Sequence, residues 1–193
     1  YARTGQHQAA LDLYEQQHAS SAIDDSELLF RIGGLLGRLG RSDQQRQRWL
    51  ELATGFPASP SARQALEQLP PQEGPEELDA RARVLAAQGR AREAIALWER
   101  FMLQHAGHPL ANQAQYHTAA AYAELKQYER AGARYRLLFA VSRLPEALFA
   151  QADVAMQQGG YAAAIQVCER FAREFPTHPL ADDALWQAAR TAE

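Results

Sequence analysis

The sequence predicts an all-α protein, a right-handed superhelix built from antiparallel helix pairs. Three observations lead there. A short pattern returns along the chain: a helix breaker, Ala five residues later, and a large aromatic nine residues later. Prolines recur at fixed steps after the breakers. The hydrophobic content of 47% is weighted toward Ala, which suits helices in close contact more than a thick globular interior.

Each landmark has a physical task. Gly5 leads to Ala10 and Tyr14, Gly89 to Ala94 and Trp98, and Lys126 to Ala131 and Tyr135. Gly159 leads to Ala164 and Cys168, and Gly40 to Gln45 and Trp49, where the small residue is lost. A glycine between paired helices takes the left-handed conformation that ends the first of them. The Ala lets the two helices approach closely. The aromatic lies one turn further along the same face and fills the space to the next pair. Prolines follow Gly40 and Gly159 by 17 and 20 residues, at Pro57, Pro60, Pro176 and Pro179; Gly89 keeps the later one, Pro109. Proline is harmless in a first turn and disfavours helix in the residue before it, so it closes one repeat and opens the next.

The steps between successive breakers are 35, 49, 37 and 33 residues. The long step holds an extra short helix, roughly Ser61 to Leu69, and then Pro70-Pro71-Gln72-Glu73-Gly74-Pro75, which cannot be helical throughout. Three regions follow: repeats plus the extra helix over 1–69, a Pro-rich joint over 70–75, and further repeats over 76–193. The joint is too short to act as a flexible linker. Tyr1 falls near the end of a first helix, and one helix of about Leu180 to Ala192 closes the sequence. A solenoid stacks each repeat on its neighbours, so the native protein is expected to continue in both directions.

Composition excludes several functions. The formal net charge is −3, with 23 acidic and 20 basic residues, so no electrostatic track invites nucleic acid or an anionic membrane. All the basic residues but Lys126 are Arg, a genomic base-composition signature more than a functional one. No apolar run approaches the ~20 residues of a membrane span, and direct insertion is not expected. The single cysteine, Cys168, sits at an aromatic position of the repeat and reads as a buried structural thiol. His105 and His108 belong to a helix end, Asp182 and Asp183 to a first turn where carboxylates suit the dipole. Arg31, Arg38, Arg41, Arg46 and Arg48 spread around two helices as a solvated face. No phosphate loop, dinucleotide fingerprint, zinc-protease helix or serine elbow is present. No cofactor, metal or catalytic residue is therefore assigned.

These landmarks resemble the tetratricopeptide repeat family, through Ala94-x3-Trp98, Ala131-x3-Tyr135, Ala164-x3-Cys168 with Pro176, and in the preceding helices Ile32-Gly33, Ala119 and Tyr122. The resemblance implies that the first helix of each pair lines a concave side. One inward position is then occupied by Phe30, Asp79, Tyr116, Phe149 and Trp186, with Arg38, Arg83, Asp153, Met156, Gln157 and Arg190 beside it. Aromatics and Arg are favoured at binding hot spots, so these form a ladder for an extended ligand, or else the rings pack between first helices as core. Both readings stand at this point. The implied function is a non-catalytic scaffold that binds protein or peptide.

The phrases from Ala94 to Phe101, Ala163 to Phe171 and Glu174 to Trp186 further resemble the helical superhelix of bacterial soluble lytic transglycosylases. Those enzymes cleave the peptidoglycan sugar backbone with a Glu in a lysozyme-like domain, and nothing here resembles that domain. This likeness implies a periplasmic or envelope setting, with peptidoglycan glycan strands as a further candidate ligand. The phrase Gly55-Phe56-Pro57-Ala58-Ser59-Pro60 also fits tetratricopeptide lipoproteins and division factors of the periplasm. A cytoplasmic assembly factor is the remaining alternative.

Overall fold

The structure, a computed structural model, describes residues 2–20, 26–72 and 74–192. Eleven helices and no strand are found among them: α1 (Ala2–Ser20), α2 (Ser26–Arg38), α3 (Ser42–Gly55), α4 (Pro60–Gln68), α5 (Pro75–Ala87), α6 (Ala91–Gln104), α7 (Ala111–Glu124), α8 (Tyr128–Ser142), α9 (Pro145–Gln157), α10 (Tyr161–Glu174) and α11 (Ala181–Ala192). The fold class is all-α, with successive helices paired antiparallel across short turns. Tyr1 and Glu73 lie outside the described residues.

The turns inside the pairs follow the predicted landmarks. Gly40, Gly89 and Gly159 have φ of 74°, 74° and 76°, and Lys126 takes the same left-handed conformation at 58°. Each is followed by the same backbone bond, Arg41 N–H to Leu36 O, Arg90 N–H to Leu85 O, Gln127 N–H to Tyr122 O and Gly160 N–H to Ala155 O, all 2.9 Å. These satisfy carbonyls that the helix end would otherwise orphan. Gly5 corrects the expectation. It lies inside α1, which runs through it without a break. One helical glycine costs only ~1 kcal/mol, and Ala10 and Tyr14 still pack on the core of Leu11, Leu28, Ile32, Leu35 and Leu36.

The turns between pairs also repeat. Phe56, His105 and Phe175 end α3, α6 and α10 with N–H bonds to Leu52, Phe101 and Phe171 carbonyls. One position then holds the backbone entering the following helix, as a true N-cap only at Ser59. His108 Nδ1 accepts from Leu110 N–H at 3.3 Å, His178 Nδ1 from Leu180 N–H at 3.2 Å, and Ser59 Oγ from Ala62 N–H at 3.1 Å. The two imidazoles also pack edge-on against Phe101 and Phe171. The α8–α9 junction is shorter; there Arg143 takes φ 56° and Pro145 opens α9.

The chain divides into two compact units, Tyr1–Leu97 and Trp98–Glu193. In the first, α2, α3, α4 and α5 share a core of Leu29, Trp49, Leu52, Ala62, Ala65, Leu66, Leu69, Ala80 and Val84. Trp49 lies against Gly33, where a Cβ would stand 2.2 Å from the indole nitrogen, and that nitrogen donates to Phe30 O at 3.1 Å. The Pro70–Pro75 segment joins α4 to α5 inside this unit. It is tied down by Glu77, only 2% exposed, which accepts from Arg46, from Arg81 at 2.8 Å and from Gln72 N–H at 2.9 Å. Arg46 also donates to Pro70 O at 3.0 Å, and Arg81 to Leu66 O and Leu69 O at 3.1 Å. The backbone around the joint is therefore hydrogen-bonded to three side chains, Glu77, Arg46 and Arg81.

In the second unit the predicted small and large positions are interior. Ala119, Ala131, Tyr135, Ala164 and Cys168 are at most 4% exposed. Burial, with the charges of Asp153 and Glu169, pushes the Cys168 thiol up to about 11, as expected of a structural cysteine and not of a nucleophile. On the outer side Glu174 holds both Arg143 and Arg170 at 2.6 Å, and both guanidiniums lie over the Phe139 ring.

Two outcomes follow. Gly33→Ala should destabilise the protein by about 1–3 kcal/mol through overpacking, whereas Gly34→Ala, whose Cβ meets nothing within 4 Å, should stabilise it by about 0.5–1 kcal/mol; thermal melts of the two variants check the opposite signs. Glu77→Gln should cost about 3 kcal/mol by leaving two guanidiniums facing a lost carboxylate, and should speed proteolysis at the joint; unchanged cleavage there would show that the clasp does not hold the segment.

Candidate functional site

The predicted ladder residues separate into two sets. In the first unit Phe30, Asp79 and Arg83 are engaged within the fold. Phe30 is half-buried and stacked on Trp49, centroids 5.7 Å apart at 13°. Asp79 is 1% exposed and accepts from Arg83 Nε at 2.7 Å, so this carboxylate and guanidinium serve one another and present no charge to a ligand. Arg38 is exposed in the last turn of α2, where a cation suits the helix dipole. In the second unit Tyr116 leans on the Tyr135 ring, centroids 5.3 Å apart; burial, then Glu146 and Asp153, raises its phenol. Gln157 is exposed at the end of α9.

The remaining five come together. Phe149, Asp153 and Met156 from α9 and Trp186 and Arg190 from α11 line one groove of about 760 Å³. The helical period explains this, because Phe149, Asp153 and Met156 fall at i, i+4 and i+7 on one face of α9. Phe149 packs edge-on against Phe171 at 5.5 Å while it lines the groove. Trp186 is 62% exposed, with the Arg190 guanidinium over its ring at 5.1 Å.

Side-chain bonds connect the two walls. Gln187 Nε2 donates to Asp153 Oδ1 at 2.8 Å and approaches Met156 Sδ at 3.5 Å; Thr191 Oγ1 reaches the same sulfur at 3.5 Å. Gln187 Oε1 accepts from the Cys168 thiol at 3.7 Å, so the floor is anchored to the core behind it. The sequence reading missed Tyr161, Asp183, Gln187 and Thr191 as groove residues. Asp183, Gln187 and Thr191 share the α11 face with Trp186 and Arg190 and were available from the helical period. Tyr161, the first residue of α10, reaches the groove only through the tertiary fold.

The chemistry of this groove is that of recognition. It has an apolar floor, two carboxylates, a guanidinium and amide and hydroxyl groups, with Cys168 protonated and buried behind it. Among the described residues no group of three or more side chains is placed to hold a metal ion. No helix among them is long and apolar enough to cross a membrane.

No curated protein matches the chain. Solved structures do, at identities that speak for the fold alone. One comes from the Cut9–Hcn1 hetero-tetramer of the APC/C, with TM-score 0.60, 16% identity and coverage of 97% of this chain. This chain spans 41% of that one. A tetratricopeptide repeat protein from Parabacteroides merdae matches with TM-score 0.55 and 14% identity over all of this chain and 69% of its own. The TPR2AB domain of yeast Sti1, in its complex with pHSP90, matches with TM-score 0.54 and 15% identity over all of this chain and 81% of its own. A family model described as Tetratricopeptide repeat matches residues 80–142 and 133–179. These ranges take in more than half of the sequence and contain the α5–α10 landmarks, so the chain belongs to the tetratricopeptide repeat family.

Proposed function

We propose that this chain is a non-catalytic protein-interaction scaffold whose groove between α9 and α11 seats a segment of a partner protein. The observation that carries the reading is the convergence of five predicted binding residues on one groove containing the exposed Trp186. Exposed aromatic and Arg side chains beside a shaped apolar floor are the usual anchors of protein recognition. Among the structural relatives, Sti1 is seen with pHSP90 and Cut9 with Hcn1, which supports a protein as the ligand of this fold. A photo-cross-linking amino acid at Trp186 should form discrete protein adducts in cells, whereas the same group at Leu137, equally exposed at 62% on α8, should not. Adducts at neither site, or equally at both, would sink the reading.

A second reading places the chain in the bacterial cell envelope, as the superhelical part of a lytic transglycosylase or as an accessory protein, with glycan strands in the groove. What favours it is the His-Pro-Leu-Ala phrase repeated at His108 to Ala111 and His178 to Ala181, and a Trp–Tyr-lined groove with amide and carboxylate groups. On this reading the chain sediments with purified peptidoglycan sacculi, Trp186→Ala does not, and no anhydro-muropeptides are released. Sedimentation that is unaffected by Trp186→Ala would remove the groove from this account.

A further inference from the structure

The groove has a charge order along its length. Asp153 meets Gln187 across 34 residues and Met156 meets Thr191 across 35. A constant offset means that α9 and α11 run parallel, so positions along one helix map directly onto the other. Asp183 lies one turn before Gln187, and Arg190 nearly one turn after it. By the same offset Asp153 stands level with Gln187, and Asp183 lies one turn nearer the helix N-termini, while the far end carries Arg190 beside Met156 and Thr191. Trp186 stands next to Gln187, between Asp183 and Arg190.

The two carboxylates are exposed, and among the described residues neither has a cation within ion-pair distance. Their charge is not spent inside the fold. After burial, the main cause, the Asp153 charge helps raise the Cys168 thiol and the phenols of Tyr116 and Tyr135. An apolar floor strengthens such a field by excluding water, and opposite charge at a recognition surface selects partners as much as it binds them.

Building on the protein-binding reading of the groove, we propose that it selects an extended partner segment in which Lys or Arg adjoins a large apolar residue. The cation lies between Asp183 and Asp153, and the apolar side chain rests on Met156 and Trp186. An acidic segment meets like charge from both carboxylates and is rejected.

The test pans a random peptide library displayed on phage against the full chain, against Trp186→Ala and against the double variant Asp153→Asn, Asp183→Asn, with far-UV circular dichroism to confirm that each is folded. The wild type should enrich peptides with Lys or Arg beside Leu, Phe or Trp. The best of these, made synthetically, should shift the emission of Trp186, since Trp49 and Trp98 are buried. The double variant should bind it roughly tenfold more weakly, the sum of two modest charge pairs, with a flatter salt dependence. Peptides that need Trp186 but show no basic enrichment, or that bind the double variant as well, overturn the charge inference and leave the groove reading intact. Recovery of the same peptides by wild type and Trp186→Ala overturns both, as does binding of chitotetraose with no peptide selected.

Discussion

The helix pairs depend on one close approach, in which a helix face bearing no side chain, or only a methyl group, meets a bulky group from its partner. Gly33 against Trp49 is the extreme case, with backbone and indole in direct contact. In the second unit the same first-helix position is Ala119 and Ala152, each 0% exposed, and the second-helix position is Tyr135 and Cys168, each at most 4% exposed. Interiors are close-packed, and a gap or an excess of one methylene is felt. Where Cys168 is smaller than an aromatic, Phe171 from the same helix is fully buried and brings its ring to Phe149.

Polar contacts organise the stack at a second level. Bonds recur between residues one repeat apart: Arg41 with Gln8 and Arg48 with Glu15 at separations of 33, Ser61 with Glu27 at 34, Arg134 with Glu99 at 35 and Gln187 with Asp153 at 34. They join like helices of neighbouring pairs. The Ser61–Glu27 contact explains the inserted helix α4, which stands beside α2 where the first helix of a further pair would stand. It is short, and the Glu77 clasp then returns the chain to α5, which packs on α3 as well.

The landmarks most legible in the sequence were those set by backbone geometry. Left-handed turns need Gly or an exposed polar substitute, and the spacing exposed Lys126 as one of them. Gly5 misled because glycine is also tolerated inside a helix, and only packing against α2 shows that α1 continues. The groove was half legible: the 3.6-residue period aligns Phe149 with Met156 and Trp186 with Arg190. It could not reveal that Asp79 turns inward to Arg83, because the same register position is core in one pair and surface in another. Tyr161 was invisible for a related reason, since its place depends on how α10 begins relative to α11.

The rungs between repeats have a mechanical consequence. Each joins residues about one repeat apart within one unit, so inside each unit stability is distributed as a series of similar local increments. Tension applied along such a chain is borne by one interface at a time. Within a unit, helix pairs would peel away singly and snap back singly, where a globular domain would rupture all at once.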